Sequence, residues 1–261
     1  MHALLAIPLG IAVGLSLGAL GGGGSILTVP ALVYVLGESA RTATAGSLII
    51  VGSASLVGAA SHARQQRVRW GAATAFGIAG IPAAYAGSLL NVAVNPNVLL
   101  LAFAALMLVA AAAMLWRQRQ RTSLPDTSVA MAPASTTATV GRVLVAGLAV
   151  GFLTGFFGVG GGFVIVPGLV FALGYPMPVA VATSLLVIAI NTAVALVARI
   201  GHETFDVAVL VPFILGAAGG ALAGRRVADR VSPRALTRSF AVLLVVIAIY
   251  VAVRALIALR A

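Results

Sequence analysis

The reactive inventory of this chain is mostly backbone. Gly21, Gly22, Gly23 and Gly24 stand between two apolar runs and lead through Ser25 to a Val29-Pro30 pair; Gly158, Gly160, Gly161 and Gly162 lead in the same way to Val166-Pro167. Glycine costs a helix about 1 kcal/mol relative to alanine, so each cluster should break one. A break at membrane depth survives only where its backbone is buried in protein or lines a watery cavity. A chain that restarts there as a short helix offers unpaired N–H groups at the positive end of a dipole, which suits an oxyanion. The expected donors are Gly22, Gly23, Gly24, Ser25, Gly160, Gly161 and Gly162, with Ser47, Ser184 and Asn191 completing the pocket. Either Ser25 or Thr28 would cap the first short helix. The competing reading is close helix packing, which Gly14-x-x-x-Gly18 and Gly151-x-x-x-Gly155 permit. Packing alone does not call for four glycines in a row.

Other side chains exclude other chemistry. The carboxylates Glu38, Asp126, Glu203, Asp206 and Asp229 fall in expected loops or at helix edges, whereas proton- or sodium-coupled carriers commonly place one at membrane depth. His2, His62 and His202 are scattered without metal-ligand spacing. His62, beside Arg64, reads as a solvated helix end, and His202 with Glu203 and Asp206 as a loop cluster or a proton-sensitive group. Ser53, Ser55 and Thr192 should bond their own helix backbone. Asn191 is costly in lipid and needs a partner, either a neighbouring helix or a substrate. There is no lysine for a nucleotide-binding glycine loop and no cysteine for a disulfide or thiolate site. No nucleophile, base and orienting acid can be assembled, so neither an enzyme nor a cofactor or metal site is expected.

The elements that must hold the glycines are membrane helices. Of the 261 residues, 61% are hydrophobic and 8% charged, a composition in which the bilayer is the solvent. Pro30 and Pro167 lie 137 residues apart, and that offset also pairs Gly14 with Gly151, Ser47 with Ser184, Gly87 with Gly224 and Phe103 with Phe240. An ungapped offset over so long a stretch marks a tandem duplication. Each repeat, 1–116 and 142–261, reads as an apolar run, a glycine break and a short helix, at 26–36 and 163–173, that spans only about 17 Å. Three runs long enough to cross a core of about 30 Å follow in each. The first run lacks a basic leader and has a mid-chain counterpart, so it belongs to the fold. Residues 117–141, rich in Ser, Thr, Pro and Arg, read as a flexible aqueous linker.

The net charge of +11 comes from sixteen arginines, all in the breaks between apolar runs, which is the mark of membrane insertion rather than of nucleic-acid binding. If the glycine segment is a hairpin, Arg41, Arg199, Arg254 and Arg260 stand alone on one side with the other twelve opposite. If it is one crossing, the arginines divide more evenly. The positive-inside rule favours the hairpin, hence inverted repeats, a cytoplasmic linker and both termini outside. Arg41 is then a topological anchor.

The doubled motif, Gly-Gly-Gly-Ser-Ile-Leu-Thr-Val-Pro at 22–30 and Gly-Val-Gly-Gly-Gly-Phe-Val-Ile-Val-Pro at 158–167, with Ser-Leu at 47–48 and 184–185, resembles the TauE/SafE family of membrane transporters. The resemblance covers nearly the whole chain outside the linker. It implies a multi-pass inner-membrane exporter of sulfite, sulfoacetate or related organosulfonates. The expected fold is all-α, two homologous repeats each with a glycine-broken hairpin and three transmembrane helices. The expected partners are a small anionic substrate, the lipid bilayer and a second copy of the chain. A non-transporting scaffold, or a carrier of another small anion or of a metal, is the alternative.

Overall fold

The computed structural model describes residues 2–38, 40–91, 94, 96–122, 136–157, 162–197 and 207–260. Among these the chain is helical without strands. The order is α1 (His2–Leu20), α2 (Gly23–Pro30, continued by one π-helical turn Ala31–Val35), α3 (Ala40–Ala63), α4 (Trp70–Asn91), α5 (Pro96–Thr122), α6 (Thr136–Phe157), α7 (Gly162–Ala172), α8 (Met177–Val197), α9 (Val207–Arg230) and α10 (Pro233–Arg260). Seven of these are long and apolar enough to cross a membrane: α3, α4, α5, α6, α8, α9 and α10. The apolar span described within α1 is Leu5–Leu20, and those of α2 and α7 are shorter still. Helices α8, α9 and α10 begin 137 residues after α3, α4 and α5, so the offset read in sequence recurs in the element boundaries. Helices α5 and α6 extend into both ends of the stretch expected to be linker; residues 123–135 lie outside the described residues.

Apolar chain in lipid gains nothing from hiding from water, so packing depends on how closely backbones approach. Two glycine seams supply that approach, and both join different repeats. On one, Gly10, Gly14 and Gly18 of α1 lie against the backbones of Phe213, Ala217 and Ala221 of α9. A methyl on Gly14 or Gly18 would fall on the facing carbonyl. In return Gly216, Gly220 and Gly224 of α9 face the carbonyls of Ile7, Ile11 and Leu15. The second seam repeats this at the same offset: Gly147, Gly151 and Gly155 of α6 meet Phe76, Gly80 and Ala84 of α4, and Gly87 meets Phe152. In both seams the residue numbers climb together, so α1 runs parallel to α9 and α6 to α4.

Helices α3 and α8 pair through the middle, with Gly58 against Leu185 and Gly52 against Thr192, and α5 pairs with α10. The core includes the fully buried Phe76, Phe163, Phe213 and Phe240. Phe103 of α5 meets Phe163 of α7 edge-on, with ring centroids 5.0 Å apart. Helices α2 and α7 end alike: Gly37 and Gly174 take positive φ (72° and 69°), and the following N–H groups of Glu38 and Tyr175 close on the carbonyls of Leu32 and Leu169. Only glycine adopts this backbone without strain.

The seams predict a graded response. Gly14→Ala and Gly151→Ala should each lower the thermal midpoint in detergent by several degrees, about 1–3 kcal/mol of overpacking. Gly219→Ala, a helical site with nothing within 4 Å of the added methyl, should leave it unchanged or slightly raised. Intrinsic emission of Trp70 and Trp116 reads the transition.

Candidate functional site

The first break falls at Gly21-Gly22. Helix α1 closes with the Gly21 N–H on Leu17 O at 2.8 Å, and Gly21 then turns left-handed at φ 76°. Helix α2 restarts at Gly23 behind Gly22, three to six residues earlier than a Ser25 or Thr28 cap would place it. Neither hydroxyl caps: Ser25 Oγ donates to Gly22 O at 2.7 Å and Thr28 Oγ1 to Gly24 O at 2.9 Å, inside the new helix. Gly22, at the N-cap of α2, has no side chain to cap its first-turn N–H groups. Gly24 has Val13 and Leu17 of α1 where its Cβ would be, so α2 folds back along α1 as a hairpin. Pro30 lacks the N–H that would continue the α-helix, and the next turn is π-helical, closed by Leu36 N–H on Ala31 O.

The second hairpin brings α7 to the same place. Gly22 lies directly against the carbonyl of Gly162 and the N–H of Phe163, and Gly162 lies against Ser25 Oγ. Gly21 faces Ser184 of α8, whose Oγ would be 2.5 Å from an added methyl. Residues 21–26 and 162–167 are all buried. Four expected site residues, Gly22, Ser25, Gly162 and Ser184, thus converge. The contact is closed, without room at Gly22 for a methyl group, let alone an anion.

The remaining expected residues divide. Gly23 packs on Leu243 of α10 and Gly24 on α1. Gly160 and Gly161 lie outside the described residues, as does Gly158, the counterpart across the offset of the Gly21 that meets Ser184. Ser47 is buried on α3 and donates to Thr44 O, as Ser184 donates to Val181 O. Both serine protons are therefore committed to their own helices, and what these hydroxyls offer without rearrangement is an acceptor. Asn191 of α8 is half-buried and turned toward Gly77 of α4, its Oδ1 without a hydrogen-bond partner. It stands one turn beyond Ile188, which touches Gly162. Of the polar residues expected to bond their own backbone, Ser53 and Thr192 do so, while Ser55 Oγ is buried without a partner. The His202 cluster and the Arg41 side chain lie outside the described residues. Among the described residues no cluster of three His, Asp or Glu side chains could hold a metal.

His62 is where sequence reasoning failed. It is 1% exposed rather than solvated, and its Nε2 lies 3.3 Å from the carbonyl of Gly18, one turn before the break. Arg225 of α9 reaches across to the neighbouring Ser61 carbonyl at 3.2 Å. Only the glycine seam could have signalled this burial, since it draws α9 against α1 at Gly18.

Toward the arginine-rich end, two hollows of about 380 and 250 Å³ share Tyr175, one with Arg69 and Trp70, the other with Arg117 and Arg234. Burial pushes the Tyr175 phenol above its ordinary pKa, so it stays a neutral hydrogen-bonding group.

Comparison with known proteins bears on this geometry. The family model described as sulfite exporter TauE/SafE matches residues 6–251. A probable membrane transporter protein of Xylella fastidiosa strain 9a5c is 34% identical over 93% of this chain and 92% of its own length. A second, from Methanocaldococcus jannaschii, is 29% identical over 77% of this chain and 75% of its own. No solved structure matches the chain. Seven membrane-length helices and two glycine-broken hairpins, matched across nearly their whole span, place the chain in the sulfite exporter TauE/SafE family of membrane transporters.

Proposed function

We propose that this chain exports small sulfur oxyanions, sulfite and sulfoacetate among them, across the inner membrane by alternating access, holding the anion between the two glycine tips. The observation that carries this is the meeting of Gly22 and Gly162. Two helix starts converge in the protein interior, one of them without a side-chain cap, in a region without a buried carboxylate. N–H groups at helix starts bind anions and repel cations. An inside-negative potential favours anion exit by about 2.3 kcal/mol per charge per 100 mV, so efflux needs no coupling carboxylate.

Inverted repeats fit this reading. Helix α2 folds back on α1, and the C-terminal end of α3 meets the C-terminal end of α1 through His62 and Gly18, so α1 and α3 share a direction. Helix α4 returns after a short loop, and α6, parallel to α4, therefore opposes α1. The moving units are then mixed. With α1 seamed to α9 and α6 to α4, neither sequence repeat can rock as a rigid body, and the motion is of one seam-paired bundle against the other. In this reading the tips, closed on each other at Gly22 and Gly162, part to admit the anion.

Reconstituted protein should release radiolabelled sulfite or sulfoacetate from liposomes, faster when the potential is negative inside. Absence of flux from folded protein overturns the reading in favour of a scaffold. In this reading the Ser184 hydroxyl turns from the Val181 carbonyl to donate to the anion, so Ser184→Ala, which keeps helix α8, should weaken apparent affinity several-fold. Gly22→Ala, whose methyl meets the Gly162 carbonyl, should cut flux more than tenfold, because the tips can no longer close. The absence of cysteine makes topology testable: Asp126→Cys should react with an impermeant thiol reagent only from the cytoplasmic side.

A further inference from the structure

One polar cluster takes no part in the tip site. His62, Arg225, Gln65, Arg67 and Asp229 gather where α1, α3 and α9 end. Two of its nitrogens are buried without a hydrogen-bond partner, His62 Nδ1 and Arg225 Nε. With Nε2 on the Gly18 carbonyl, His62 in its neutral form leaves Nδ1 as a bare acceptor. Arg225 spends one terminal nitrogen on Ser61 O, while its Nε–H meets nothing. Leaving such groups unpaired is costly, and native structures do so mainly where a ligand, ion or water completes them.

Above them lies a strap. After Gln66, which is held at φ 56°, the α3–α4 loop ties to α9: Gln65 Nε2 donates to Asp229 Oδ2 at 3.0 Å and Arg67 to Asp229 Oδ1. Asp229 is a carboxylate held by one guanidinium and one amide, which is how a protein holds a bound oxyanion. The charges around His62 are Arg67 from the loop and Arg225 and Asp229 from α9. Helix α1 contributes only the Gly18 carbonyl, since it carries no charge after His2. Two cations against one anion leave the cluster one negative charge short. The positions 137 residues away hold Ser88 and Val92 in place of Arg225 and Asp229, so the cluster belongs to one end of the molecule only.

We propose that His62, Arg225 and Arg67 form an entry site for a small oxyanion at the arginine-rich end, one helical turn from the Gly21-Gly22 tip, with Asp229 as the built-in plug that the anion displaces. The proposal rests on the carrier reading above and assigns the first station on its path. An incoming anion takes Arg67 from Asp229 and accepts from Arg225 Nε–H. Where it arrives as a weak acid such as hydrogen sulfite, its own O–H donates to His62 Nδ1, the bare acceptor of the neutral ring. Both unpaired nitrogens are satisfied, and the Gly18 carbonyl keeps its partner, so occupancy at the entry site is felt at the end of α1 where the tip turns.

The chain has three histidines, so side-chain nitrogen NMR of 15N-histidine-labelled protein in an uncharged maltoside micelle can follow His62, assigned by loss of its signal in His62→Gln. Sulfite titration should shift that signal saturably in the wild type and not in Arg225→Gln. In liposomes, Arg225→Gln should raise the anion concentration for half-maximal flux about tenfold or more, and Asp229→Asn, which removes the plug, should lower it several-fold. A His62 signal indifferent to sulfite in protein that does carry it overturns the entry site and leaves the carrier. A sulfite-dependent shift in protein that carries nothing overturns the carrier and leaves the site. A shift produced by added anionic phospholipid but not by sulfite assigns the cluster to a lipid headgroup and overturns the proposal.

Discussion

Hydrocarbon offers no hydrogen bonds, so a chain that interrupts a helix within the bilayer must find protein for every exposed peptide group. This protein's break between α1 and α2 is met by the start of α7 and by α8. Gly22 lies against Gly162, Gly162 against Ser25, and Gly21 against Ser184. Because the α1–α2 break and the start of α7 bury each other, neither can be displaced alone. The surrounding helices are arranged to bring them together: α3 and α8 flank the meeting point, α5 and α10 close it with Phe103, Leu243 and their neighbours, and the glycine seams draw the outer helices in.

Much of this arrangement was legible as spacing. An offset repeated over a hundred residues announced two copies, and four glycines in a row announced a break to within two residues of where α1 ends and α2 begins. The hairpin lengths followed from counting residues against the thickness of a bilayer. Harder to see was partnership. Gly14 and Gly18 promised a close contact, yet nothing in a one-dimensional pattern says that their partners are Ala217 and Ala221, two hundred residues away, rather than a helix of their own repeat.

The same blindness explains His62. Beside Arg64 and ahead of a polar turn it has every local sign of a wet helix end, and it is buried because α9 is drawn to α1 at that level. Hydroxyl chemistry was half legible. That Ser47 and Ser184 are equivalent followed from the offset; that each gives its proton to the carbonyl three residues back is a matter of rotamer choice on a finished helix. Ser55, with the same composition around it, finds no such bond.

The exchange of helices between repeats bears on how such a chain is made and how it arose. During synthesis α1 enters the membrane long before α9 exists, so its glycine face must wait, covered only by its own hairpin, until most of the protein has been translated. The finished seam has high contact order, and folding of the two halves cannot be sequential. A half-length ancestor would have met the same difficulty differently. Its first helix would have needed the fourth helix of another copy. Such a chain covers its glycine face only in a reciprocal pair, and joining the two copies turns an assembly problem between molecules into one within a single chain.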